Sequence, residues 1–130
     1  MNFRGSTGYG RNHVKMANGQ WGRKMQDDVT DSVNWAVNQG IADPDNVCIY
    51  GASYGGYAVM AGITKTPKMY KCAVNYVGVT DMGLLFSKMP KVWEIWEEQQ
   101  KIEIGDYEND KEYLDACLLY TSPSPRDSSK

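Results

Sequence analysis

The sequence predicts an α/β domain: a mainly parallel sheet with flanking helices. Three observations predict it. Val47-Cys48-Ile49-Tyr50 and Cys72-Ala73-Val74-Asn75-Tyr76-Val77-Gly78-Val79 are nearly continuous apolar runs, as strands buried on both faces of a parallel sheet are. Helical periodicity precedes the first run and returns between the two. A glycine-flanked turn, residues 51–56, follows the first run at once.

The elements follow in order. Residues 2–10 carry Gly5, Gly8 and Gly10 beside Ser6 and Thr7, which is loop composition. Gly19-Gln20-Trp21-Gly22 marks a second turn. From Met25 the apolar positions Met25, Val29, Val33, Ala36 and Val37 share one helical face. Asp27, Asp28, Asp31, Asn34 and Asn38 fall mostly on the other. Asp27 and Asp28 lie near the helix start, where the backbone dipole favours negative charge. Gly40 suits a helix end, and Asp43-Pro44-Asp45-Asn46 is turn chemistry. After the first strand a helix is expected over residues 54–64, broken by Pro67. Strand, short helix, strand is the pattern of a parallel crossover. Residues 84–100 read as helical or mixed with a break at Pro90, and a last helix is expected from Asn109 or Asp110.

Composition narrows the function. The 130 residues suit one small domain and hold 14 Lys+Arg against 16 Asp+Glu, a net charge of -2. That balance gives no basic patch for nucleic acid. No apolar run reaches the roughly 18 residues of a membrane span. Nucleic acid and membrane are therefore not expected partners. Three Cys and one His, with no CxxC, do not make a zinc cage, so no metal site is expected. Cys48 and Cys72 fall in strand-like runs, where buried free thiols are the expectation. Reduced thiols suit the cytoplasm over the periplasm or secretion.

The chemistry points to one turn. Gly51-Ala52-Ser53-Tyr54-Gly55 matches G-x-S-x-G between an apolar strand and a helix, the nucleophile elbow of α/β-hydrolases. The chain must turn from strand to helix within a few residues. Ser53 is therefore expected on a strained backbone, with its hydroxyl above the carboxyl edge of the sheet. Gly51, Gly55 and Gly56 form the elbow; a side chain at Gly51 or Gly55 is expected to collide with the adjoining strand or helix. The Tyr54 N–H would donate to a developing oxyanion, worth about 3 kcal/mol of barrier. Without chemistry, the same motif is simply a tight glycine-rich turn.

Several stretches together resemble the prolyl oligopeptidase family of serine peptidases, nearest its acylaminoacyl-peptidase and dipeptidyl-aminopeptidase-like branch. They are Asn2-Phe3-Arg4-Gly5-Ser6-Thr7-Gly8-Tyr9-Gly10, Gly19-Gln20-Trp21-Gly22, Asp28-Val29, Asp43-Pro44 and Gly51-Ala52-Ser53-Tyr54-Gly55-Gly56-Tyr57. The resemblance covers residues 1–116. It implies a partial α/β-hydrolase catalytic domain, normally preceded by a β-propeller that restricts access to short peptides. It implies an acyl-enzyme on Ser53 and no cofactor. It also places Tyr54, Val79, Met82 and Leu85 around the substrate side chain before the scissile bond, although core packing is an equal reading of the last three. Arg4 is read as a salt-bridged structural residue rather than a substrate ligand. Trp21, Trp93 and Trp96 are read as core or interface anchors. A carboxylesterase or lipase using the same elbow, or a non-catalytic binding module, remains an alternative.

The departures from the family are informative. Its triad runs Ser, Asp, His, with the acid and base well downstream, whereas His13 precedes Ser53. His13 is therefore expected to be a solvated loop residue. Asp81, Asp106 and Asp110 follow Ser53 too closely for the family's acid and are expected to serve turns or caps. The sequence is thus expected to be a fragment lacking the triad Asp and His, and inactive alone. Residues 117–130 crowd Ser, Pro and Thr. Back-translated, residues 117–127 can be spelled as a sequencing adapter read in frame, so a non-native disordered tail is expected there.

Overall fold

The computed structural model describes residues 1–106, 110 and 112. The proposed last helix and the 117–130 tail fall outside the described residues, apart from Asp110 and Glu112. Among the described residues five helices accompany a pair of strands: α1 (Arg11–Lys15), α2 (Lys24–Asn38), β1 (Cys48–Ala52), α3 (Tyr54–Lys65), β2 (Cys72–Tyr76), α4 (Met82–Ser87) and α5 (Glu97–Glu103). A 3-10 turn over Lys91–Trp96 leads into α5.

β1 and β2 are parallel, with Cys48 opposite Cys72, Ile49 opposite Ala73, Tyr50 opposite Val74, Gly51 opposite Asn75 and Ala52 opposite Tyr76. α3 is the crossover between them and packs on both. Its sequence is apolar almost all round, and Gly56, Tyr57, Ala58, Val59, Ala61 and Gly62 are buried. The helix is buried because the strands take one side and α2 the other. Gln26 of α2 donates its Nε2 to the Ala58 carbonyl at 3.1 Å. The core joins Tyr57, Ala61, Met82 and Ile104, with Trp21, Tyr54, Val79, Leu85 and Phe86 packed against it.

The expected periodicity of α2 holds. Met25 is buried, Val29, Val33, Ala36 and Val37 are half-buried, and Asp27, Asp31, Asn34 and Asn38 are exposed. Gly40, at φ 71°, donates to the Val37 carbonyl as the helix ends. Asp43 then closes its turn by accepting from the Asp45 N–H and from Asn46 Nδ2. Asp81 caps α4 through the Leu84 N–H at 3.0 Å.

Three expectations are corrected. The strands are not buried on both faces: every residue of β2 is exposed, as are Cys48, Tyr50 and Ala52 in β1. α3 covers the face of Ile49 and Gly51, and no described element covers the other. Cys48 and Cys72 are not free thiols but a disulfide. Direct opposition across the ladder brings their Cα atoms to 4.7 Å, inside the range a bridge requires. The argument from reduced thiols to the cytoplasm therefore falls. His13 is not a solvated loop residue: it lies in α1, half-buried, its Nε2 at 3.1 Å from the Phe3 carbonyl oxygen. Among the described residues no helix is long and apolar enough to cross a membrane.

Candidate active site

The turn between β1 and α3 has the geometry that its glycine spacing predicts. Ser53 adopts φ 55° and ψ -116°, a region that L residues other than glycine rarely enter, and it is exposed. Its N–H donates to the Tyr76 carbonyl at 3.1 Å, extending the ladder by one bond past β1. Its own carbonyl accepts from the Tyr57 N–H at 3.2 Å and opens α3. The backbone is thus committed to the strand on one side of Ser53 and to the helix on the other. Sheet and helix together enforce the strained residue between them.

The glycines make this crossing possible in different ways. A Cβ on Gly51 would lie 2.2 Å from the Gly55 carbonyl oxygen, so Gly51 must lack a side chain for α3 to start where it does. A Cβ on Gly55 would meet nothing within 4 Å, which corrects the expected collision there. The second crowded position is Gly56, whose Cβ would lie 2.5 Å from Gly78 Cα and 2.4 Å from Asn75 Oδ1. α3 therefore enters over the loop that leaves β2. Neither Gly78 nor Asn75 is legible in the sequence as an elbow residue; their contacts with Gly56 link positions about twenty apart, beyond the reach of local pattern.

Tyr54 stands in the first turn of α3, where N–H groups lack intrahelical acceptors and the helix dipole is positive. Its ring is held in an aromatic group, with centroids 4.6 Å from Trp21, 5.5 Å from Phe3 and 6.0 Å from Tyr57. Trp21 is a packing residue here, whereas Trp93 and Trp96 are exposed. Met82 has no exposed surface and belongs to the core, so it lines no open site. Val79 and Leu85 are half-buried against the same cluster as Tyr54.

Arg4 lies in a part-buried ion pair. Its Nε donates to Asp28 Oδ2 at 2.7 Å and its Nη2 to Oδ1 at 2.8 Å, while its backbone N–H also donates to Oδ2 at 3.0 Å. The guanidinium holds the Asp28 carboxyl below the usual carboxylate range, against the opposing effect of burial. The bidentate pair occupies Arg4 in tying the N-terminal loop to α2, as its structural reading expected.

Two further features lie elsewhere. A hollow of about 610 Å³ is lined by Val33, Val37, Pro44, Val47 and Pro67, at the amino ends of the strands. Ligands of open α/β sheets bind outside the carboxyl ends, where Ser53 stands. Among the described residues no three His, Cys, Asp or Glu side chains gather as metal ligands.

Residues 1–125 match the prolyl oligopeptidase family. Dipeptidyl aminopeptidase BIII of Pseudoxanthomonas mexicana is 44% identical over 110 residues, covering 85% of this chain and 16% of that protein. Dipeptidyl peptidase family member 6 of Caenorhabditis elegans is 43% identical over 93 residues, 72% of this chain and 13% of its own. A solved Mycobacterium tuberculosis puromycin-hydrolyzing peptidase superposes with a TM-score of 0.81 at 29% identity, covering 91% of this chain and 18% of that one. The chain spans between about one eighth and one sixth of the length of these curated relatives. The strand, elbow and helix around Ser53 are part of an α/β-hydrolase fold, and the chain belongs to the prolyl oligopeptidase family.

Proposed function

We propose that this chain carries the nucleophile of a serine peptidase acting on short peptides. The observation that carries the reading is the backbone of Ser53: an exposed serine at φ 55° on a strand-to-helix turn that Gly51 and Gly56 make passable. Strained non-glycine residues of this kind gather at reactive sites.

The roles follow from position. A histidine takes the Ser53 hydroxyl proton as Oγ bonds to the peptide carbonyl carbon. The carbonyl oxygen becomes an oxyanion, and the Tyr54 N–H donates to it. The tetrahedral centre then collapses, the histidine returns the proton to the leaving amine, and an acyl group remains on Ser53. Water releases it by the same steps in reverse order of partners. Tyr54, Val79 and Leu85 border the acyl side chain, and Met82 backs them from the core; aliphatic walls favour an apolar residue there. Gly51, Gly55 and Gly56 shape the elbow.

His13 is turned to the Phe3 carbonyl and lies in α1. The base and its acid are therefore assigned to the part of a protein of the relatives' length that this chain does not span, and the family resemblance adds an N-terminal β-propeller to it. The 130 residues alone are expected to turn over no peptide. Subtilisin loses about a millionfold in rate when its serine or histidine is removed. The test is a fluorophosphonate probe on the longer protein that contains this segment. Stoichiometric modification at Ser53, abolished with peptidase activity in Ser53→Ala, is the expected result. An S53A protein that still cleaves peptides at the original rate overturns it.

A further inference from the structure

Val77 is the other strained residue. Among the described residues only Ser53 and Val77 have positive φ without being glycine, at 55° and 48°. A β-branched residue is especially unsuited to this region. Val77 is 72% exposed, so burial of its side chain does not offset the strain. The two residues are also neighbours: Ala52 pairs with Tyr76, and the next positions along the parallel ladder are Ser53 and Val77.

The loop leaving β2 grips both sides of the oxyanion turn. Ser53 is tied to Tyr76 by its N–H. Gly56 is seated on Gly78, where neither has room for a Cβ. Tyr54 lies between the first members of these pairs, and Val77 lies between the second. The distance from Ser53 to Gly56 is thus set against the distance from Tyr76 to Gly78, which the Val77 backbone determines. One side chain closes that loop: Asn75 Oδ1 accepts the Gly78 N–H at 2.9 Å. Asn75 is opposite Gly51 in the ladder and faces α3.

We propose that Asn75 is a positioning residue for the elbow, locking Val77 in the left-handed region so that Gly78 supports the first turn of α3. Through this brace it aligns the Ser53 hydroxyl with the Tyr54 N–H. The inference rests on the serine-nucleophile reading and adds a residue that never touches substrate.

The test uses the longer protein that contains this segment, with fluorophosphonate labelling rate, kcat and KM per titrated site, and a thermal melt. Asn75→Ala is expected to lower labelling rate and kcat at least about tenfold with KM within about twofold, as small misalignments do. Asn75→Asp keeps an acceptor at the same place and is expected to recover within about threefold of the original. Val77→Asn, a residue that tolerates this backbone, is expected to restore part of the rate in the Asn75→Ala background. An Asn75→Ala protein that labels at the original rate per folded molecule overturns the proposal. If Asn75→Ala does not fold, Asn75→Gln moves the acceptor by one methylene, and equal rates for the Asp and Gln variants overturn it. Failure of the unmodified protein to label at Ser53 overturns the nucleophile reading itself, and this inference with it.

Discussion

The elbow and the N-terminal loop are both tethered to a helix, but by opposite means. At the elbow, α3 is seated by the absence of side chains: Gly51 faces the Gly55 carbonyl and Gly56 faces Gly78. At the N-terminal loop, Arg4 is seated by a side chain, through three hydrogen bonds to one carboxylate. The first junction is expected to be insensitive to charge and intolerant of a methyl group at Gly51 or Gly56. The second is expected to depend on ionisation. A strained turn gains from the first design, because close-packed backbone has no alternative rotamer to relax into.

This contrast breaks down if the two junctions respond alike to substitution. The largest expected effect is at Gly51. Gly51→Ala puts a methyl group against backbone that has no room to move, and is expected to cost about 3 kcal/mol or more in urea unfolding, or to prevent folding. Gly55→Ala, four residues on, is expected to change stability by less than about 1 kcal/mol, since alanine suits a helix and meets nothing there. Similar losses at both positions would show that the motif's glycines act through backbone freedom rather than space.

The Cys48–Cys72 bridge is next. It closes a loop with a sequence separation of 24 across the two strands. Reduction, or the paired Cys→Ala variant, is expected to lower stability by about 3 kcal/mol on the chain-entropy account. An unchanged urea midpoint on adding dithiothreitol would rule this out.

The ion pair gives the smaller and conditional effect. Asp28→Ala is expected to cost about 1–2 kcal/mol, the usual range for a charge-assisted bond with partial exposure. Because the folded state lowers the Asp28 carboxyl pKa, its contribution is full above the ordinary unfolded value. It disappears as pH falls through the lowered folded value. The difference in stability between the native chain and Asp28→Asn should therefore be constant near neutrality and shrink in acid. A difference that grows on acidification would contradict the assignment.

Much of the architecture could be read from local pattern. The apolar face of α2, the Gly40 stop, the Asp43 turn and the Asp81 cap depend on residues within a few positions of one another. G-x-S-x-G carried the elbow in the same way. The disulfide could not be read so, because whether Cys48 and Cys72 bond depends on ladder register. Exposure of the strands also escaped the sequence, since an apolar run shows what needs covering and not whether a helix lies there. Met82 looked like a wall of the substrate site, and the core absorbs it. A run of aliphatic side chains has the same spacing in either setting.

The sequence by itself determined the order of strand, elbow and helix, and put a serine where the backbone must strain. These are consequences of steric limits acting over a few consecutive residues. Only the tertiary structure decided that Gly56, rather than Gly55, is crowded alongside Gly51, and that Asn75 of β2 and Gly78 of the loop after it are what crowd Gly56. Those relations arise when parallel strands set distant backbone segments side by side, at distances no local spacing encodes.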